Sequence, residues 1–407
     1  RARFISATGK ITNLPKESIK EVENLENQGN YKTFAVEGVE TGGQIEYFYT
    51  LKRKFSAYKS VFVQEEVPKG DVLVLLAFPS KLSYLIKSYN GFPDFVLNTE
   101  NDEKSYLKAE AGYVPGLRKE LYAYYQANKM RYEYTLAFNF FNASRRIYSW
   151  AKLSNNIYSN IIPLEKKEAK AIESFVKKLN IPAGDLTSKI RYIENRLKSE
   201  ISVSEEIQQT MSLDDIIKYE QADKNGMLKL FLAVFNAAGI QSEVVGTSDM
   251  ESKPFDPDFN GYNFVDDFLL YLTQIDKYVV PYDGTFRMGI LPSIYQGGYG
   301  LFMSEVAYTD DLKTFGYEIR QLPMANHVEN TDTMVQQISL NLDEAQLKVK
   351  SYRAMYGDAG RIFQSFWVLN DKERKDELVK LVFNMGSENT VIDAYTVKNE
   401  LPEDIGV

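Results

Sequence analysis

Between Gly226 and Ala238 the chain has almost no polar face, because Met227, Leu228, Leu230, Phe231, Leu232, Val234 and Phe235 crowd one short stretch. A helix that is apolar all round is a buried helix. It is too short to cross a bilayer, which takes about 20 apolar residues. Other elements must therefore pack around it, and Gly239 closes it as a C-terminal glycine does. Two amphipathic helices lead up to it. Ile172, Phe175, Val176 and Leu179 recur at helical spacing before Pro182; Ile190, Ile193, Leu197 and Ile201 mark the second, with Asp185, Thr187 or Ser188 as N-caps. Strands follow at Gln241–Gly246, Phe268–Thr273 and Tyr278–Val280.

The flanking regions differ in period. Up to about residue 145 the chain reads as strands, at Gln44–Leu51, Lys59–Val67, Val72–Phe78, Leu82–Ile86 and Arg131–Phe141. Turn signals such as Gly42-Gly43, Pro68-Lys69-Gly70 and Asn90-Gly91 separate them. Many short strands with frequent turns point to an antiparallel β-sandwich. After about residue 320 a hairpin is expected, with Ile338, Leu340 and Leu342 alternating into the Asp343-Glu344 turn and Leu347 and Val349 alternating back. Helices near Gly360–Val368 and Asp371–Phe383 and a strand at Thr390–Thr396 complete the reading. The expected domains are 1–150 (β-sandwich), 151–318 (α+β) and 319–407 (a small α+β or β-rich module), with the first linker near 145–163.

Composition narrows the chemistry. There is no cysteine and one histidine, His327. That excludes disulfides, a thiolate nucleophile, Cys-ligated zinc and multi-His metal sites. No G-x-S-x-G elbow accompanies His327, which reads as a linker residue. A net charge of -8 argues against nucleic acid as a partner, and no apolar run is long enough for a transmembrane helix. Asp256-Pro-Asp258-Phe-Asn260-Gly261, with Asp267 twelfth, matches much of a calcium loop, but it lacks helical flanks and the terminal Glu and reads better as an acidic turn. No cofactor is expected. Tyr122–Tyr125 and Arg131–Tyr134 could supply stacking platforms, although aromatic residues more often build cores.

Two stretches resemble a known pairing. Phe34-Ala-Val-Glu-Gly-Val-Glu-Thr-Gly-Gly-Gln-Ile-Glu-Tyr-Phe-Tyr49, with Gln64-Glu65-Glu66-Val67-Pro68, is similar to the signature of a domain of unknown function in exported bacterial proteins. That domain precedes a transglutaminase-like domain. Ser212-Leu-Asp-Asp-Ile-Ile217, Ala222-Asp-Lys-Asn-Gly226 and Ala237-Ala-Gly-Ile240 resemble the turn, buried helix and exit of the latter, and Met288-Gly-Ile-Leu-Pro292 resembles the segment after its aspartate. The resemblance implies a papain-like α+β fold and an exported, periplasmic or outer-membrane-associated location. It puts Lys224 at the cysteine position, Asp266 or Asp267 at the histidine position, and Val280 or Asp283 at the aspartate position.

With thiol and imidazole both missing, the expectation is a non-catalytic cell-envelope protein that meets a protein partner through the degenerate cleft at Lys224, Asp266, Asp267 and Asp283. Lys224 either pairs with Asp266 or Asp267 across that cleft or points to solvent. The alternatives are capture of a peptide or glycan, with or without calcium, and a hydrolase using Asp266, Asp267 or Asp283 as its carboxylates.

Overall fold

The computed structural model describes residues 1–22, 31–101, 103–207, 209–307, 313–383 and 391–401. The chain forms two compact units, Arg1–Ser56 and Ala57–Val407.

The first unit is a small set of antiparallel strands. These are β1 (Ala2–Ile5), β2 (Ile11–Asn13), β3 (Lys20–Val22), β4 (Tyr31–Thr33) and β5 (Gln44–Tyr47), with sheet order β2-β1-β5 and a separate β3-β4 pair. Ala2 and Phe4 are its buried residues. The double glycine before β5 has a steric reason. Gly42 sits at φ +87°, and a Cβ on Gly43 would lie 2.4 Å from the Phe4 ring. Only glycine lets the turn approach that ring.

The second unit begins with β6 (Tyr58–Phe62), β7 (Lys69–Pro79), β8 (Leu82–Tyr89), β9 (Val96–Glu100), β10 (Lys104–Val114), the short α1 (Tyr125–Asn128), β11 (Arg131–Asn139) and β12 (Ala143–Arg146). One sheet has the order β7-β10-β9; in the other, β11 pairs with β12, β6 and β8. Alternation sets the faces: Val72, Val74 and Leu76 of β7 turn toward the buried Val63, Phe92, Ala109, Val114 and Tyr132.

The helices α2 (Trp150–Ile161), α3 (Lys166–Leu179), α4 (Leu186–Glu200), α5 (Leu213–Tyr219) and α6 (Lys224–Ala237) follow, with a short parallel pair of β13 (Ser202–Val203) and β14 (Gln221–Ala222). A five-stranded antiparallel sheet then forms from β15 (Glu243–Thr247), β16 (Asp267–Leu272), β17 (Lys277–Val279), β18 (Tyr299–Ala307) and β19 (Lys313–Gln321), ordered β17-β16-β15-β18-β19. Helix α6 is buried as its composition requires, with Leu230, Phe231, Val234 and Phe235 fully inaccessible in the main core. The hairpin β20 (Asp332–Asn341) and β21 (Gln346–Met355) and the helices α7 (Asp358–Leu369) and α8 (Lys372–Phe383) end the described fold.

Three expectations need correction. The expected linker near 145–163 contains α2, capped by the Ser149 hydroxyl accepting from Lys152 N. Its Trp150, Ile157 and Ile161 are buried at helical spacing, but intervening Asn and Ser residues masked the pattern. Strands β18 and β19 were not anticipated, because both faces of this region carry aromatic and glycine residues with no clean alternation. Residues 391–396 form no strand, and Thr390 lies outside the described residues.

Candidate functional site

Lys224 opens α6. Asp223 precedes it as N-cap; its Oδ1 accepts from Gly226 N at 3.2 Å and its Oδ2 from Asn225 N at 3.2 Å and Thr210 Oγ1 at 3.0 Å. Gly226 lets this turn pack close, since a Cβ there would lie 2.8 Å from Ile216 Cδ1 and from Asp223 Oδ1. The helix end is thus fixed, and its partial positive charge lies beside the Lys224 ammonium.

The start of β16 brings Asp267 to this point. Lys224 Nζ lies 3.6 Å from Asp267 Oδ1, with the lysine side chain half exposed and the aspartate 19% exposed. The second carboxylate oxygen of Asp267 accepts from Tyr295 OH at 2.9 Å, and Tyr295 OH lies 3.2 Å from Tyr282 OH. The Lys224 ammonium also stands 5.1 Å from the centre of the Tyr282 ring. Burial pushes both phenols well above the usual tyrosine range, and the Asp267 charge adds to it. They therefore stay protonated and act as hydrogen-bonding hydroxyls. Among the described residues no hydrogen bond engages Lys224 Nζ, so its donors face solvent.

The other expected residues separate. Asp266 pairs with Lys253 at 3.1 Å and has a half-exposed side chain. Asp283 closes its own turn, accepting from Thr285 N at 2.8 Å and Thr285 Oγ1 at 2.6 Å. Val280 is buried, and His327 is exposed in a short turn after β19. Three of the calcium-loop side chains, Asp256, Asn260 and Asp267, are engaged by protein partners. Asp256 accepts from Lys87 Nζ (2.6 Å) and Tyr89 OH (2.5 Å), Asn260 Oδ1 from Trp150 N (2.8 Å), and Asp267 from Tyr295. Tyr132 belongs to a core, packed on Phe92 and Phe95, rather than to an open platform.

Tyr282 and Tyr295 were missed in the sequence. Tyr282 adjoins Asp283 and could have been found from the alternative register at that position; Tyr295 carries no local signal. Behind the site, a buried Lys198–Glu194 pair on α4 grips the following segment. Lys198 Nζ donates to Glu194 Oε1 (2.8 Å) and Phe286 O (2.7 Å), and Met288 N donates to Glu194 Oε2 (2.7 Å). A depression of about 440 Å³ lies elsewhere, lined mainly by apolar residues of α2, α3 and the C-terminal half of α6, together with Glu173, Lys177 and Asn236. Its Lys177 and Glu173 are exposed and pair with each other at 2.7 Å, so the α6 N-terminus is the better candidate for chemistry.

No protein-family model matches the chain, and no curated protein does. Among solved structures, the chain resembles a proposed protease from Parabacteroides distasonis ATCC 8503, with a TM-score of 0.51 and 13% identity over 84% of this chain and 68% of the other. It also aligns with a TGase (TM-score 0.22, 12% identity, 37% of this chain and 41% of that one) and with a proposed cysteine protease from Cytophaga hutchinsonii (0.21, 10%, 73% and 89%). The first likeness is one of fold: a mixed α/β architecture with several antiparallel sheets.

The expectation that the chain is not an enzyme is overturned at the level of fold, because the solved structure whose fold it shares is named a proposed protease. Its reasoning went too far. Missing cysteine removes thiol chemistry, but the lysine, carboxylate and phenol groups at the α6 N-terminus remain. No helix among the described residues is long and apolar enough to cross a membrane.

Proposed function

We propose that the chain is an exported protein whose transglutaminase-like part, from α2 to β19, binds an extended peptide at the α6 N-terminus. Lys224 serves as donor to an acyl oxygen of that peptide. The observation that supports this most is the combination at Lys224: a half-exposed ammonium at a capped helix end, held by Asp267 at 3.6 Å without a hydrogen bond to it among the described residues. The Asp267–Tyr295–Tyr282 chain fixes the carboxylate, so Lys224 is oriented while its donors stay available. Helix ends favour groups of partial negative charge, and a peptide carbonyl oxygen is one. The half-buried Tyr282 ring beside it offers apolar surface suited to peptide backbone, while the buried Tyr295 holds Asp267 from behind.

A peptide array probed with the full chain tests this. Lys224→Met is expected to lower array binding at least tenfold, and Asp266→Asn to leave it within twofold. Equal binding by Lys224→Met and the parent would refute the assignment. Mass spectrometry of the same peptides reads turnover directly.

A further inference from the structure

Toward its tip the hairpin β20–β21 carries an apolar face that stays exposed among the described residues, whereas at its base the same face packs Met355 against Phe363, Trp367 and Val379. Register fixes the membership of that face. Ile338 pairs with Val349 and Leu340 with Leu347, and Met334 and Leu342 continue the same parity. These six side chains are 37% to 80% exposed, Leu342 the most. Toward the tip the opposite face carries Ser339 and Lys348, Gln337 and Lys350, and Asn341 and Gln346 as cross-strand pairs, and nearer the base the exposed Val335–Tyr352 pair. Among the described residues the sheet has only these two strands. A lone hairpin is marginal in water, and one apolar face left open makes it more so.

We propose that this face packs against the same face of a second copy of the chain, giving a two-fold dimer. Charge favours a like partner. Residues 332–355 hold three acidic and three basic side chains, a net charge of zero, within a chain of net charge -8. The charges that share the apolar face sit at its base, where Arg353 and Asp332 neutralise each other. Two such faces therefore meet without the repulsion that the rest of the acidic surface would impose. The face is also self-complementary. A two-fold axis along the strands sets Leu340 of one copy over Leu347 of the other, and Ile338 over Val349, which is the isologous arrangement of a two-fold interface. The polar Gln336–Ser351 pair separates Met334 from the rest, so the continuous apolar part runs from Ile338 to Leu342, about 14 Å at ~3.4 Å per residue. Two strands cover well under the roughly 800 Å² per partner of a stable interface. The dimer is accordingly weak and reversible, with a dissociation constant in the micromolar range.

The absence of native cysteine makes the test clean. Full-length Leu340→Cys and Leu347→Cys chains are mixed and treated with a short bis-maleimide, and Ser339→Cys mixed with Lys348→Cys reports the opposite face. At least tenfold more cross-linked dimer from the first pair is expected. Sedimentation velocity of the parent from ~1 to ~200 µM should show association that Leu340→Lys weakens at least tenfold. Circular dichroism spectra of each variant matching the parent exclude misfolding as the cause. Equal cross-linking of the two pairs, or a parent that stays monomeric throughout the series, overturns the proposal. In the latter case the face is covered by another part of the chain or by a different protein.

Discussion

The Lys198–Glu194 pair offers a sharp test of how the site is held. Both side chains are almost wholly inaccessible, 1% and 0% exposed. Burial lowers the Lys198 pKa, so the charged amine is maintained by Glu194 and by the Phe286 carbonyl. Lys198→Met removes two hydrogen bonds and leaves the Glu194 carboxylate buried with Met288 N as its remaining donor. Breaking a buried pair from one side costs about 3–5 kcal/mol. Removing both charges costs less, because no ion is stranded. Lys198→Met/Glu194→Leu should therefore be more stable than Lys198→Met alone, despite orphaning Met288 N at about 1–3 kcal/mol. Native-state hydrogen exchange at the Met288 amide is the assay, since it does not require the whole chain to unfold as one unit. About 4 kcal/mol corresponds to roughly a thousandfold faster exchange through opening. A change under about tenfold in Lys198→Met would mean that the pair is solvated and that α4 does not fix the 283–288 segment.

Four further outcomes are expected. Burial acts to raise the Asp256 pKa, but bonds from Lys87 and Tyr89 outweigh it and the net direction is down from 3.8. Its stabilising contribution is then full above about pH 4 and is lost as pH falls through the lower folded value. Acid titration of Asp256→Asn should show a shallower loss of stability in that window. Glu168→Ala should cost about 3–5 kcal/mol in urea unfolding, since the carboxylate accepts from Lys229 Nζ, Leu213 N and Glu165 N and joins α3, α5 and α6. Gly226→Ala, although a better helix former by about 1 kcal/mol, should destabilise by about 1–3 kcal/mol because its Cβ meets Ile216 and Asp223 at 2.8 Å. Tyr295→Phe should change stability by no more than about 1.5 kcal/mol while weakening peptide binding, by freeing the Asp267 oxygen to draw on Lys224.

Much of the fold was legible where one period dominates. Helices α3, α4 and α6 were visible because their apolar residues recur at helical spacing or fill the whole segment, and Asp185 caps α4 with its oxygen accepting from Ser188 N at 2.8 Å. The hairpin was visible because its alternation is undisturbed by packing. Strands β18 and β19 were not, since Leu301, Phe302 and Met303 are consecutive buried residues of a strand covered on both faces. The separateness of Arg1–Ser56 was also hidden, because both it and the strands after it are turn-rich β structure.

The site divides in the same way. The ammonium and carboxylate of Lys224 and Asp267 could be placed near each other from one motif register. Which of the two adjacent aspartates faces the lysine follows from the start of β16, and Asp266 turns to Lys253 instead. The two phenols were reached only through tertiary contact. Tyr295 lies 28 residues from Asp267 in the chain, and no local pattern encodes that bond.

Peptide titration by calorimetry measures the central claim most directly, using the strongest array peptide against the parent, Lys224→Met and Asp266→Asn. Saturable one-to-one binding per chain is expected for the parent. Affinity should fall at least tenfold, about 1.4 kcal/mol, in Lys224→Met and stay near the parent value in Asp266→Asn. Undiminished binding by Lys224→Met would contradict the account and place recognition away from the α6 N-terminus.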